Sequence, residues 1–137
     1  MDMNLEEYFI DSETADIAGM HQKFGMTYNL KPQALNHETL MARAEFIQEE
    51  LDELKQAIAH NDYFETIDAL VDIVVVVKGT AAMMGLRWSK HWDEVHRANM
   101  TKERGRNPKR PDLKEDLVKP MGWAGPSHSF VLYSYDQ

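Results

Sequence analysis

One segment of this chain limits the possible folds more than any other. Between Ile67 and Val77 the only polar side chains belong to Asp68 and Asp72. The run of valines has β propensity, but the apolar stretch is longer than a strand usually is. We therefore predict a helix from Asp62 to about Met84, and because it is apolar on every side we expect it to be buried.

Three more helices are indicated by capping residues and by the spacing of apolar side chains. They cover approximately residues 12–24, 36–60 and 89–100. A chain of 137 residues has the size of one domain. We therefore predict an all-α fold, an antiparallel helix bundle. Residues 1–100 form its helical domain, and residues 101–137 form a basic C-terminal arm of the same domain that is rich in proline and glycine.

Composition excludes several classes of protein. Fifteen basic and twenty-three acidic residues give a net charge of −8, so we expect no nucleic-acid binding. The chain has no cysteine, which excludes thiolate metal sites and disulfides, and it begins with no signal-peptide pattern. Its apolar run is too short and too interrupted by charges to cross a membrane. We expect a cytoplasmic protein.

The acidic residues of the second predicted helix point in different directions. At about 100° per residue, Glu50 falls within the apolar arc of this helix, and Glu53 falls at the edge of the arc. Glu49 and Asp52 point toward the expected solvent. The sequence EELDE therefore turns one pair of carboxylates, those of Glu50 and Glu53, toward the interior.

The predicted buried helix carries a second acidic set. Glu65, Asp68 and Asp72 lie along one line of this helix, and an ionised carboxylate costs several kcal/mol to bury without a partner. Arg43 is the best partner within the protein. A divalent cation compensates better, and oxygen ligands without cysteine favour Mg²⁺ or Mn²⁺, or Ca²⁺ in a large cage. Glu65 is explained equally well by an Asp62-x-x-Glu65 capping box.

A short turn between these two helices would bring the two acidic sets face to face. The result would be a cage of four or five carboxylates, more negative than one Mg²⁺ neutralises. Such a cage suits several ions together with a polyanionic ligand such as a triphosphate. Walker A, GxSxG and HExxH motifs are absent from the sequence.

The acidic motifs have a familiar order. EELDE at 49–53, Glu65 and DALVD at 68–72 resemble the EExxE and following acidic motif of the MazG-like all-α nucleoside triphosphate pyrophosphatases, a phosphoribosyl-ATP pyrophosphohydrolase-like family. The family's second motif is ExxD, and its glutamate would fall at Ala69, which cannot bind a metal. Either Asp68 or Glu65 must take that role.

The flanking sequences resemble a phage-type subgroup of the same family, and the whole resemblance covers about residues 16–126. The matching pieces are HQKFG at 21–25, VKGTA at 77–81, Gly85 and VHRANMTK at 95–102.

The resemblance implies a Mg²⁺-dependent enzyme, with Mn²⁺ as a substitute, built as a homo-dimer or homo-tetramer of helical hairpins. Such an enzyme cleaves a (deoxy)nucleoside triphosphate between its α and β phosphates and releases a nucleoside monophosphate and pyrophosphate. Among the bases we lean to guanine.

The resemblance also assigns roles to residues. The implied metal ligands are Glu50, Glu53 and Asp72, with Asp68 and Glu65 next, and the general base is either Glu53 or Glu49. His96 and Asn99 are explained equally well as hydrogen-bonded core groups. The candidates for substrate binding are Arg97, Asn99, Lys102, Arg104, Arg106 and His96, with Lys109 and Lys119 behind them, and His21 by the family pattern alone.

Three other functions fit the same residues. The first is phosphoribosyl-ATP pyrophosphohydrolase activity, which uses the same cage and cleaves the same kind of bond. The second is a non-catalytic acidic helical module that binds metal and a partner protein. The third is an ion-binding regulator without turnover. Release of pyrophosphate from a panel of nucleotides separates the two enzymes from the other functions.

Overall fold

A computed structural model describes residues 4–134 of the chain. It confirms the all-α class, because helices make up most of the described residues and the strands form only one small sheet. The elements in chain order are α1 (Leu5–Phe9), α2 (Ser12–Lys23), α3 (His37–Ala59), α4 (Tyr63–Met83), α5 (Trp88–Asn99), β1 (Glu103–Gly105), β2 (Asp116–Val118) and α6 (His128–Tyr133).

The two long helices begin where their capping residues predict. Asn36 caps α3 by accepting a hydrogen bond from the backbone N–H of Thr39 at 2.8 Å, and Asp62 caps α4 by accepting one from the N–H of Glu65 at 3.1 Å. The helix predicted from about residue 12 begins at Ser12, and its cap is the residue before it. Asp11 is the cap of α2, because its carboxylate accepts from the N–H of Thr14.

Contacts divide the chain into two units, one ending at Trp88 and the other beginning at Ser89. This boundary lies after the first residue of α5, whereas the sequence division was placed after the whole helix, near residue 100. The functional division into a helical domain and an arm stays a prediction.

The first unit contains α1 to α4. Helices α3 and α4 pack against each other as a hairpin, α2 packs on α4, and α1 packs on α2. Ala18, Val76 and Ala82 are among the buried apolar residues. Lys78 is also buried in α4, and its ammonium group donates to the carboxylates of Asp11 and Glu13 at 2.9 Å each.

The prediction that α4 is buried on every side is wrong for the single chain. Leu70 is 51% exposed and Val71 is 55% exposed, and Ile67 and Val74 are exposed as well. These residues form one apolar stripe, which we call the α4 stripe. The other side of α4 is covered by α2 and α3, so the helix is apolar all round but buried on only part of its surface.

The second unit contains α5, a β-hairpin and α6. Strands β1 and β2 pair antiparallel, with Arg104 opposite Leu117. This hairpin and the short helices α1 and α6 were not predicted; the sequence indicated only loop after residue 100. No single helix within residues 4–134 is long and apolar enough to cross a membrane, although α4 and α5 taken together pass by length and composition.

Candidate metal centre

Helices α3 and α4 bring three predicted metal ligands together. Glu50 and Glu53 lie one turn apart on α3, and Asp72 lies on the facing part of α4. One carboxylate oxygen from each of these residues lies within 4.8 Å of the other two. The cluster therefore forms within one chain, because the short turn at residues 60–62 folds α4 back on α3.

The cluster is negative and partly withdrawn from water. Glu50 and Asp72 are half-buried, and Glu53 is exposed. Burial, followed by the nearby carboxylates of Glu53 and Asp72, raises the pKa of Glu50. Burial, followed by Asp68 and then Glu53, raises the pKa of Asp72. Among the described residues, no lysine, arginine or histidine forms an ion pair with any of the three ligands.

One oxygen of the cluster has no partner within the described chain. Oε2 of Glu50 is buried and accepts no hydrogen bond. A buried carboxylate oxygen without a donor is costly, and a bound cation would satisfy it. Three converging carboxylates are also the donors that hard divalent cations such as Mg²⁺ and Mn²⁺ prefer. The residues present therefore fit a divalent cation.

Arg43 does not neutralise this cluster, so the alternative of a salt bridge from Arg43 to the aspartates of α4 is wrong. Its Nε donates to Oγ1 of Thr80 at 3.0 Å, and one terminal nitrogen donates to the carbonyl of Val76 at 3.0 Å. A Cβ atom at Gly79 would lie only 2.8 Å from this guanidinium group. Because Gly79 has no side chain, Arg43 has room to bond to α4. The bonds lie one turn or more C-terminal to Asp72.

Asp68 lies closer to the cluster than Glu65 does. After burial, the nearby carboxylate of Asp68 is the largest cause of the raised pKa of Asp72. Glu65 is exposed in the first turn of α4. Its backbone N–H donates to the carboxylate of Asp62, which forms one half of the predicted capping box. The other half is not formed, because the N–H of Asp62 donates to the carbonyl of Ala57. Neither residue belongs to the three-carboxylate cluster, and the replacement of the missing glutamate at Ala69 by Asp68 or Glu65 stays a prediction.

The outer acidic residues of α3 face water as predicted. Glu49 and Asp52 are both exposed, and Asp52 accepts a hydrogen bond from Gln48 at 3.0 Å. Glu49 is near enough to raise the pKa of Glu50. Glu49 and Glu53 are thus the two exposed carboxylates beside the half-buried Glu50, and both can exchange protons with water.

His21 is the candidate for substrate binding that lies in the first unit. It is 2% exposed, and its Nδ1 lies 2.7 Å from the carbonyl oxygen of Thr27. This contact ties the end of α2 to the chain that follows it. A ring so enclosed serves the core of the unit, and nothing in the geometry supports its predicted role in substrate binding.

The other candidates lie in the second unit, and two of the candidate arginines, Arg97 and Arg104, are already paired. Arg97 bonds to the carboxylate of Glu94 at 2.9 Å and lowers the pKa of that carboxyl to about 2. Arg104 pairs with Glu115 at 2.7 Å beside the hairpin. Sequence reasoning missed Glu94, although its spacing of three residues before Arg97 on a helix was a usable signal.

The remaining candidates in this unit are open to solvent. His96 and Asn99 are exposed, so their interpretation as core groups is wrong. Arg106 is exposed, and Lys119 is exposed except where it meets the ring of Trp123. Lys102 is half-buried beside the same ring.

A protein-family model matches the part of the chain that carries the acidic cluster. The family model described as phosphoribosyl-ATP pyrophosphohydrolase matches residues 17–99, which is well over half of the chain. The matched region contains all of α3 and α4 and therefore the whole acidic cluster. No curated protein matches the chain with significance.

Proposed function

Since this chain belongs to the phosphoribosyl-ATP pyrophosphohydrolase family, we propose that it is a Mg²⁺-dependent nucleotide pyrophosphohydrolase acting on (deoxy)nucleoside triphosphates. The family makes it a pyrophosphohydrolase, which is a hydrolase. The proposal adds the substrate, the metal and the bond that is cleaved. The observation that supports it most is the convergence of Glu50, Glu53 and Asp72, with one oxygen of Glu50 buried and without a partner.

In this proposal Glu50, Glu53 and Asp72 hold the cation, with Asp68 beside Asp72. When bound, the cation supplies positive charge at the phosphates and lowers the pKa of water. Water attacks the α-phosphorus, and the bond from that phosphorus to the bridging oxygen breaks. Nucleoside monophosphate and pyrophosphate leave.

The proton released by water needs an acceptor. Glu53 and Glu49 are the candidates because both are exposed and both adjoin Glu50. A carboxylate in this position accepts the proton as general base. If one residue can both bind the cation and accept the proton, Glu53 is favoured as the general base. If the cation engages all three clustered carboxylates, Glu49 is favoured as the general base.

The description of the family favours a second candidate substrate. Phosphoribosyl-ATP carries the same triphosphate chain, so the same carboxylates serve either substrate. Phosphoribosyl-ATP differs from ATP only by the phosphoribosyl group attached to its base. Cleavage of either substrate releases pyrophosphate.

A substrate panel tests the proposal. The protein is incubated with Mg²⁺ or Mn²⁺ and each of the (deoxy)nucleoside triphosphates, with guanine nucleotides first, and with phosphoribosyl-ATP. We expect equal amounts of pyrophosphate and monophosphate. Release of single phosphate would refute cleavage between the α and β phosphates, and absence of turnover throughout would refute the enzyme and favour a metal-binding interaction module. The predicted cytoplasmic location stays a prediction.

The proposal includes a second copy of this chain as partner. The α4 stripe leaves four apolar side chains exposed, and a neighbouring groove of about 500 Å³ is lined by Ile17, Leu70, Val71, Val74 and other residues. Contiguous exposed apolar surface of this kind is typical of an interface, and homo-oligomers are usually closed and symmetric.

Mass measurement in solution tests this part. We expect a homo-dimer or homo-tetramer for the parent chain and a smaller species for Val71→Glu. Leu113→Glu is the control, because Leu113 is also an exposed apolar residue but lies outside the α4 stripe. A monomeric parent chain would refute the partner proposal.

A further inference from the structure

The second unit contains a cleft that the acidic cluster does not use. The cleft has a volume of about 550 Å³ and lies among the end of α5, the turn after β1, and β2. Its walls beyond Asn99 fall outside the matched family region, which ends at residue 99. The family match therefore does not cover most of the residues that line this cleft.

The charges that line the cleft are mostly positive. Its basic residues are Lys102, Lys109, Arg110 and Lys119, and its acidic residue is Asp116. Arg110 bonds to Asp116 through two nitrogens at 2.7 and 3.1 Å, which cancels one charge of each sign.

Among the described residues, the three lysines of the cleft lack ion pairs, although Lys102 lies near enough to the arginine-paired Asp116 to help lower the pKa of that carboxyl. Within residues 4–134, none of the ion pairs involves Lys102, Lys109 or Lys119. The chain as a whole has a net charge of −8, so carboxylates are abundant elsewhere. Three unpaired ammonium groups around one cleft in so acidic a protein create a local positive potential.

Trp123 contacts two of these lysines. The ammonium groups of Lys102 and Lys119 lie 5.3 Å and 5.0 Å from the centre of its ring. The ring itself is fixed, because its N–H donates to the carbonyl of Ala98 at 3.0 Å and to Oγ1 of Thr101 at 2.8 Å. Cation–π contacts with this fixed ring stabilise each lysine, so two of the ammonium groups that line the cleft are held in place.

We propose that this cleft binds an oligophosphate through Lys102, Lys109 and Lys119 without a divalent cation. Lysine is a good donor to phosphate oxygens, and several separate ammonium groups suit an anion with several charges. The bound oligophosphate is either the phosphate chain of the substrate or a separate free anion. The proposal does not rest on the proposed function, because the cleft is complete without the acidic cluster.

Calorimetric titration with inorganic pyrophosphate in the presence of EDTA tests the proposal. EDTA removes any cation from the acidic cluster, which then repels anions, so binding reports on the cleft alone. The test variant is Lys109→Gln/Lys119→Gln. The control is Lys90→Gln/Lys114→Gln, which removes the same charge from exposed lysines of the same unit outside the cleft.

We expect pyrophosphate to bind the parent chain and the control alike. The affinity of the test variant should fall about tenfold or more, since hydrogen bonds to charged groups contribute that much. Circular dichroism confirms that each variant is folded. No binding by the parent chain, or an equal loss in both variants, would overturn the proposal.

Turnover measurements then separate the two sources of the phosphate. A raised KM of the test variant for a nucleoside triphosphate identifies the substrate's phosphates as the bound group. An unchanged KM together with retained pyrophosphate binding by the parent chain identifies a separate anion. Turnover without pyrophosphate binding in EDTA would refute the cleft alone, and binding without turnover would refute the proposed function alone.

Discussion

The two units of this protein treat their charges in opposite ways. In the first unit Glu50, Glu53 and Asp72 converge without a cationic partner among the described residues. In the described part of the second unit three of the four arginines have carboxylate partners, whereas none of its five lysines has one, including the three that line the cleft. The arginine pairs are Arg97 with Glu94, Arg104 with Glu115 and Arg110 with Asp116.

The comparison teaches that pairing separates scaffold from site better than residue type does. A paired arginine in the second unit stabilises local structure, whereas unpaired carboxylates or lysines that line one cluster or cleft keep their charge for a ligand. Within residues 4–134, Lys90 and Lys114 lack ion pairs too, but they lie outside the cleft. The carboxylates of the first unit are suited to a cation, and the lysines of the second to an anion. The predictions below test that contrast, beginning with the largest expected effect.

Asp72→Asn should reduce turnover by about a hundredfold or more, because it removes a charged ligand from the cluster and even outer-shell changes at metal sites cost up to about that much. Helical circular dichroism should be unchanged, since the amide has nearly the same shape. Steady-state turnover of a nucleoside triphosphate with Mg²⁺ measures the loss. Asp52→Asn is the matched control on the exposed side of α3, and a fully active Asp72→Asn would remove Asp72 from the ligands.

Removal of the cation should destabilise the parent chain. Mg²⁺ at a hundredfold excess over its Kd should add about 2.7 kcal/mol to the free energy of unfolding, and EDTA should abolish this gain. Thermal unfolding with and without Mg²⁺ measures the difference. In Asp72→Asn we expect little or no response to Mg²⁺. An equal response in both proteins would place the ion elsewhere.

Glu49→Gln and Glu53→Gln should differ in effect. Glu53 belongs to the three-residue cluster, so its loss should be severe, whereas the exposed Glu49 should tolerate the change with a loss of a fewfold. Turnover measured across pH compares them. A large loss in Glu49→Gln, with metal binding retained, would make Glu49 the general base.

The Glu94–Arg97 pair should make the stability of the second unit depend on pH in the acid range. Arg97 and the backbone N–H of Ser127 lower the pKa of Glu94 to about 2, below the usual value of about 4.3. A lowered folded-state pKa stabilises the fold above the unfolded-state pKa, and this contribution is lost as pH falls from about 4.3 toward 2. Denaturant unfolding of Glu94→Gln should therefore differ from that of the parent chain at pH 6 and converge with it near pH 2. If Glu94→Gln changed the free energy of unfolding by the same amount at pH 6 and near pH 2, that result would contradict the pairing.

Much of the first unit can be predicted from sequence, for local reasons. Asn36 and Asp62 are strong capping residues followed by long periodic stretches, so the starts of α3 and α4 depend on few distant contacts. The position of Glu50 within an apolar arc also follows from helical geometry. That is why the pairing of Glu50 and Glu53 could be predicted before the fold was seen.

Other features depend on distant contacts or on very short elements. The apolar character of α4 does not reveal which side packs within the chain, so the exposure of Leu70 and Val71 was missed. The strands Glu103–Gly105 and Asp116–Val118 have three residues each, too few to show alternation. The pairing of Arg43 with Thr80 and Val76, far along α4 from the acidic residues, could not be read from composition either.

A crystal structure grown with Mn²⁺ tests the central claim most directly, because anomalous scattering locates that ion. We expect an anomalous peak between Glu50, Glu53 and Asp72 that marks a Mn²⁺ ion bound to their carboxylate oxygens. A structure in which these side chains turn outward into water, or bond to an arginine with no peak between them, would contradict it.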